Sequence, residues 1–565
     1  MSRVTLALVP ALALALALAL LSSAWAGAPA FPLEALRPGL VGFGLTEGPE
    51  GIERFEVEVL ARQDGFGLGF PLVLVRASGP VIDAGGGVSA GMSGSPVVLP
   101  HEGGDALLGA IGYVFVDAPG GLALVTPIDV MRTQTGAGAG AAPAAWSALA
   151  RLGVTPVATP LLLSGLGERA RALLQRELLD RAAWPVQAVS GGGSGTALPE
   201  AIEPGSAIAV AWVRGDVDVG AVGTVTEITQ QRLLAFGHPL LGVGPVDWPL
   251  LAAEVTAIVP RRSVPFKLAN TGQLVLGGIE QDRPAGVSAR LGATPELLPV
   301  TLTVAGDAPG GGPTTTLRFE VVRDASLWPT LVAVATLEAL DRVRERAGAG
   351  TATVHWDIAL RDGPGLRISE TVVDELDVAT AAARLVRAPL ALLAENPFRE
   401  PSVSSLNLLI RLEEQRRDIE VRQVAADPEP TVAGAVSPLY LRLQPWRRAG
   451  EVRVLDVRWP ADLSGRIEVV VRGATAPREP DADEPPDPDE APLTFDELLV
   501  FLRERPGGGD LVVEARAEGG EWRLLERLSL PGFVTGRVQL ALDVMPPETA
   551  GADLEVGSEE HEEGP

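Results

Sequence analysis

The sequence predicts a mainly β fold divided into several domains. Short apolar runs that read as strands recur along the chain, and Gly and Pro, present 65 and 48 times, place turns between them. A chain of 565 residues is too long for one core, so several cores are expected. Only 4% of the residues are aromatic, so Val, Leu and Ala must fill those cores.

The composition excludes several classes of function. A net charge of −26 argues against a nucleic-acid partner, because phosphate binding requires a basic surface. The absence of cysteine excludes a thiol nucleophile, a disulfide framework and thiolate metal sites. No metal-ligand, P-loop or dinucleotide spacing occurs, so no cofactor and no metal are predicted.

The N-terminus has the features of an export signal. An apolar run follows Arg3 and ends in Ala24-Trp25-Ala26, an A-x-A cleavage site, so residues 1–26 are predicted to be a signal peptide. The run is long enough for an uncleaved membrane anchor to compete with that interpretation. We expect an exported protein, periplasmic or extracellular, and membrane-anchored if the signal is retained.

Composition and strand patterning divide the remainder of the chain. The expected segments are a β-rich unit at 32–131, a Gly/Ala linker at 132–145, a second unit at 146–299, a β-rich domain with helices at 300–425, a β-sandwich-like domain at 433–545 that contains a disordered acidic insert at 477–490, and a disordered acidic tail at 548–565.

The predicted β-rich segment 32–131 contains a candidate nucleophile in the motif GMSGSP. An acyl-transfer serine needs a tight turn with backbone N–H groups free to hold an oxyanion, and flanking glycines allow that close approach. Ser93 fits this requirement, with the N–H groups of Gly91 and Ser93 as the oxyanion hole. A Gly/Ser-rich turn that only joins two strands is the competing interpretation.

The predicted segment 146–299 contains a candidate base. His238 follows an apolar strand in a Gly-His-Pro turn, which restricts the backbone around the imidazole. Of the other histidines, His561 falls in the acidic tail, His355 in an alternating strand, and His101 close after Ser93 in a polar loop. A purely structural role for His238 remains the alternative.

Taken together, these segments resemble the SpoIVB-type serine peptidases, the sporulation signalling family. The resemblance is carried by GGVSAGMSGSPVV with LLGAIGYVFVDAPGGLALVTPI, by GTVTEITQQRLLAFGH, and by RPGLVGFGL and PFKLANTGQL. It covers about Arg37 to Gly292 and implies a chymotrypsin-like double β-barrel core. It also implies that Ser93 is the nucleophile, that His238 is the general base, and that the substrate is a protein or peptide.

Two departures from the family pattern stand out. The histidine segment of the sporulation enzymes precedes the serine segment, whereas here Ser93 comes first. Triad chemistry depends on geometry and not on chain order, so a permuted pair of barrel halves could still work. The family's acidic residue is replaced by Ser78. Asp83 is the candidate third member, and Asp247 is its alternative.

Three functional classes follow from the sequence. The first is an exported serine endopeptidase that works through an acyl-enzyme. The second is a catalytically inactive, peptidase-like scaffold or binding protein associated with the cell envelope. The third is a serine hydrolase with Lys267, the chain's single lysine, as its base. No pattern in the sequence specifies an oligomeric state.

Overall fold

The computed structural model describes residues 28–547 except 65, 117, 119, 135–148, 150, 180–185, 190–201, 263, 308–311, 345, 428–429 and 479–491. The predicted signal peptide and acidic tail, and most of the predicted linker and insert, therefore lie outside the described residues. The chain divides into two compact units, one of residues 1–299 with 318–335 and one of 300–317 with 336–565.

The first unit begins with a closed barrel. Its strands, with one short additional strand at the end, are β1 (Val41–Gly48), β2 (Gly51–Gln63), β3 (Leu72–Ser78), β4 (Pro96–His101), β5 (Gly104–Phe115), β6 (Leu122–Pro127) and β7 (Val154–Pro156). The antiparallel order β4-β1-β2-β3-β6-β5 closes because β4 also pairs with β5. Alternating Phe55, Val57 and Val59 of β2 fill its interior.

A second ring of strands lies in the same unit. Its strands and their neighbours are β8 (Thr159–Ser164), β9 (Val186–Val189), β10 (Ala207–Gly215), β11 (Asp218–Thr229), β12 (Arg232–Ala235), β13 (Gly244–Val259), β14 (Phe266–Arg283) and β15 (Gly286–Leu291). The antiparallel order β10-β13-β14-β15-β12-β11 closes through pairing of β10 with β11. We call the two rings the first and second barrels. The predicted mainly β fold with a double-barrel core is confirmed.

The later strands are β16 to β29, of which β21 to β29 form two further sheets. They are β16 (Leu297–Gly306), β17 (Thr314–Val322), β18 (Gly350–Leu360), β19 (Leu366–Asp374), β20 (Val403–Glu413), β21 (Asp418–Ala426), β22 (Thr431–Val432), β23 (Val436–Pro445), β24 (Glu451–Arg458), β25 (Gly465–Gly473), β26 (Asp510–Ala517), β27 (Arg523–Ser529), β28 (Phe533–Thr535) and β29 (Arg537–Met545). Sheets β24-β23-β21-β28 and β22-β29-β25-β26-β27 share one core around Leu441, Trp459 and Val469, as in a sandwich.

Helices are few among the described residues. The α-helices are α1 (Pro80–Gly85), α2 (Ile128–Gln134), α3 (Glu168–Leu174), α4 (Trp328–Arg344), α5 (Val378–Ala394) and α6 (Phe495–Glu504); a 3-10 helix spans Leu33–Ala35 and a π-helix spans Gln175–Leu179. Helix α5 contains Pro389 and continues through it to Ala394. None of the described helices combines the length and the apolar character that crossing a membrane requires.

Candidate active site at the junction of two barrels

The serine loop, residues 86–95, joins α1 to strand β4 of the first barrel. Four of its glycines, including Gly91 and Gly94, have positive φ angles that side chains rarely adopt. Ser93 in this loop is fully buried, and its Oγ has no hydrogen-bond partner among the described residues.

Carbonyl groups of the serine loop are hydrogen-bonded to strand β11 of the second barrel. The Thr224 N–H donates to the carbonyl of Ser93 at 2.8 Å, and the Thr224 hydroxyl donates to that of Gly91 at 2.9 Å. The Thr226 hydroxyl donates to the carbonyl of Gly94 at 2.7 Å. The loop of the first barrel is therefore fixed on the second.

The histidine turn, residues 236–243, follows strand β12 of the second barrel and is hydrogen-bonded to the first barrel. The Thr126 hydroxyl on β6 of the first barrel donates to the carbonyl of Gly237 at 2.6 Å. Phe236 has φ +68°, an unusual value for a bulky residue, and Gly237 has φ +64°. Backbone strain of this kind is stored where the surrounding structure holds a group in place, here immediately before His238.

Gly94 marks the point where the serine loop meets the end of strand β12. A Cβ at this position would overlap the carbonyl oxygen of Thr224 and the backbone nitrogen of Phe236. Only glycine permits this approach, and its φ is +94°. The motif GMSGSP and the segment AFGHP, far apart in sequence, are thus in contact at the junction of the barrels.

The His238 imidazole is completely buried and lies close to the rings of Tyr113 and Phe236, at centroid distances of 6.3 and 6.2 Å. Its Nδ1 is 2.7 Å from the carbonyl oxygen of Pro239, which can only accept, so Nδ1 carries the proton. Burial lowers the pKa of His238 from 6.5 to about 4, although the backbone carbonyl groups of Pro239 and Val157 near the ring favour its protonated form. At neutral pH the ring is therefore neutral, with a lone pair on Nε2.

No hydrogen bond joins the candidate nucleophile to the candidate base in this structure. Ser93 Oγ and His238 Nε2 are both buried without a partner among the described residues. The predicted oxyanion hole is half occupied as well, because the Gly91 N–H donates to the carbonyl of Ala158 at 3.1 Å. That bond has to break before Gly91 can stabilise an oxyanion.

Neither candidate carboxylate has a hydrogen bond or ion pair with His238 among the described residues. Asp83 lies on α1 and is exposed, whereas the imidazole is buried. Asp247 is also exposed and accepts the Glu296 N–H at 3.1 Å. In this structure the Pro239 carbonyl occupies the position next to Nδ1 that a triad carboxylate would take.

Sequence reasoning missed Asp282, a fully buried carboxylate on β14. It accepts the backbone N–H groups of Leu240, Leu241 and Gly242, each at 2.7 Å, and thereby fixes the chain just after the histidine. Burial raises the pKa of Asp282, while those N–H donors oppose the shift. The polar segment EQDR that surrounds it gave no sequence signal of its burial.

Lys267, the alternative base, lies on β14 beneath the serine loop and is fully buried. Its Nζ donates to the Thr46 hydroxyl at 2.6 Å and makes no described hydrogen bond to Ser93.

Comparisons with protein-family models, with curated proteins and with solved structures find no match to this chain.

Proposed function

We propose that this chain is an exported serine endopeptidase of SpoIVB type, with Ser93 as nucleophile and His238 as general base. The observation that carries the proposal is the pair of unpartnered polar atoms, Ser93 Oγ and His238 Nε2, buried where the two barrels meet. A buried polar group without a partner costs about 1–3 kcal/mol, so its presence calls for an explanation such as catalysis.

The chemistry assigns one task to each group. The Ser93 hydroxyl attacks the scissile carbonyl while its proton passes to His238 Nε2, and a C–O bond forms as the carbonyl becomes an oxyanion. The imidazolium then protonates the leaving amine as the C–N bond breaks. Water hydrolyses the ester by the same route, which regenerates both side chains.

The surroundings of His238 support this role in part. The Pro239 carbonyl holds the Nδ1 proton and so leaves Nε2 free to accept one. A carbonyl lacks the negative charge of a triad carboxylate, so it stabilises the imidazolium less. We therefore expect slower catalysis than in an enzyme with a complete triad.

Substrate access requires the junction to open. Both side chains are 0% exposed, and no substrate can reach them in this arrangement. Opening would hydrate the imidazole and move its pKa back toward the ordinary value, which suits general-base catalysis near neutral pH. The proposed peptidase is accordingly one whose activity depends on loop movement.

The same burial favours the second candidate, an inactive scaffold that keeps the barrel core and binds an envelope partner through another surface. In that case the two unpartnered atoms would be remnants of a catalytic site. The two candidates differ in whether Ser93 can react at all.

Labelling by a fluorophosphonate tests the proposal. The purified mature chain is incubated with the probe from pH 6 to 9, and the modified serine is identified by mass spectrometry. Ser93→Ala should abolish labelling, whereas Ser89→Ala should retain it. Ser89 is the matched control because its Oγ is also buried and unpartnered in the same loop. A folded wild-type chain that never labels at Ser93 would favour the scaffold.

A further inference from the structure

The single lysine occupies an unusual environment. Lys267 is 0% exposed, and no carboxylate among the described residues forms an ion pair with it. Lysines are rarely buried unless they are paired, because the ammonium loses its hydration. Its one described hydrogen bond joins Nζ to Thr46 Oγ1 at 2.6 Å, from strand β14 of the second barrel to β1 of the first.

The hydroxyl of Thr46 is shared with the serine loop. The Ser95 hydroxyl also donates to Thr46 Oγ1, at 3.0 Å, and all three residues are fully buried. A continuous chain of contacts therefore runs from Lys267 Nζ through Thr46 to the end of GMSGSP. Ser95 directly precedes strand β4, so these hydrogen bonds fix the C-terminal end of the serine loop.

Lys267 also contacts the entrance to the loop. Its backbone N–H donates to the carbonyl of Ala90 at 3.0 Å, and Ala90 in turn donates to Pro265 at 2.7 Å. A Cβ on Gly91 would lie 3.4 Å from both Cβ and Cδ of Lys267, so the lysine stem lies directly under that glycine. One residue is thus linked to the loop on both sides of Ser93, directly before it and through Thr46 after it.

The surrounding charges are acidic. Glu47 and Glu53, on strands β1 and β2 of the first barrel, stabilise a positive charge on Lys267, while Glu254 on β13 faces Glu47. Burial outweighs them and lowers the pKa of Lys267 from 10.5 to about 7. The amine therefore changes charge near neutral pH, within its contact to Thr46.

We propose that Lys267 is a positioning residue for the serine loop, which it holds at Ala90 and Gly91 directly and at Ser95 through Thr46. That the positioned loop is catalytic rests on the proposed function; that Lys267 holds the loop does not. The role differs from the serine–lysine hydrolase that the sequence left open, because the amine is hydrogen-bonded to Thr46, which also accepts from Ser95, and makes no described hydrogen bond to Ser93.

Backbone hydrogen exchange in the segment 89–95 tests the positioning role without any need for activity. Thr46→Val removes the shared hydroxyl and nearly keeps its shape, so exchange in this segment should accelerate about tenfold. Thr46→Ser restores the hydroxyl and should return exchange to within about threefold of wild type. Lys267→Met should behave as Thr46→Val does, and combining the two should add little.

Thr351→Val is the matched control. Thr351 is also a buried strand threonine whose hydroxyl makes two hydrogen bonds, to Gln415 and Arg417, in the second unit. Its loss should leave exchange at 89–95 unchanged. The proposal is overturned if Thr46→Val folds, as shown by circular dichroism, and leaves exchange at 89–95 at the wild-type rate. If Lys267→Met does not fold, the valine and serine variants of Thr46 decide the question.

Phosphonate labelling separates positioning from a general loss of stability. If Ser93 reacts, Thr46→Val should lower the maximal labelling rate about tenfold and leave the concentration dependence of the probe unchanged. An absence of wild-type labelling would refute the proposed function, while the exchange result would still decide the role of Lys267.

Discussion

The Asp282 carboxylate accepts the backbone N–H of Leu240 at 2.7 Å, just beyond His238 on the histidine turn. Leu241 and Gly242 donate to the same carboxylate, so one buried side chain satisfies three consecutive backbone donors. The orientation of the imidazole thus depends on a strand that lies well downstream in sequence.

Asp282→Asn should destabilise the protein by about 2 kcal/mol, because hydrogen bonds to a charged group are the strong ones and an amide has one acceptor oxygen instead of two. Urea unfolding measures the loss. Asp216→Asn is the control: Asp216 is exposed and accepts the Arg318 N–H, and its replacement should cost less than about 1 kcal/mol. Equal effects would show that Asp282 does not hold the turn.

Gly94→Ala should destabilise by more than about 3 kcal/mol, because the new Cβ meets backbone atoms of Thr224 and Phe236 that cannot move independently. Gly103→Ala isolates the cost of the φ angle alone. Gly103 has φ +83° with no atom within 4 Å of the added Cβ, so we expect a loss of only about 1 kcal/mol. Denaturant unfolding of both variants should show this difference, and similar losses would contradict close contact of the two loops.

The buried histidine should make the protein less stable in acid. The folded-state pKa of His238 is lowered from 6.5 to about 4, so between these values the unfolded chain binds the extra proton. Stability contributed by this group is therefore lost as pH falls from 6.5 to 4, with a slope of up to about 1.4 kcal/mol per pH unit. The slope should be shallower for His238→Gln than for His101→Gln or wild type. Parallel curves for all three would show that the imidazole is not buried.

The buried Lys267 should make the stability of the protein depend on pH above neutrality. Its folded-state pKa is lowered from 10.5 to about 7, so the unfolded chain binds more protons in that window and stability should rise with pH through it. The rise should reach about 1.4 kcal/mol per pH unit in wild type and be absent in Lys267→Met. Urea midpoints from pH 7.5 to 9.5 measure it; a wild-type curve as flat as that of the variant would contradict the burial of a titrating amine.

Local patterns were sufficient to predict much of the fold. Alternation in segments such as FEVEV predicted strands, and the Gly-rich turns around Ser93 and His238 fall at the ends of strands as expected. A strand pattern does not encode which strands pair around a ring. The resemblance, and not the periodicity, supplied the double barrel.

The supporting residues of the site could not be predicted in the same way. Thr46 and Lys267 are 221 positions apart, and Leu240 and Asp282 are 42 apart. Contacts over such separations arise only when the barrels close and meet. Asp83 was favoured for its nearness to Ser93 in sequence, yet it is exposed on α1 while the imidazole is buried, and no hydrogen bond or ion pair joins the two among the described residues.

Each barrel supplies the hydroxyl groups that hold the loop of the other, and this mutual dependence has a consequence for folding of the new chain. A newly made chain in which one barrel has formed would carry a serine loop without its hydroxyl donors, Thr224 and Thr226, or a histidine turn without Thr126. Completion of the site and completion of the core are then the same event. If Ser93 is the nucleophile that we propose, a half-folded intermediate would be unreactive, and folding itself would prevent premature reaction.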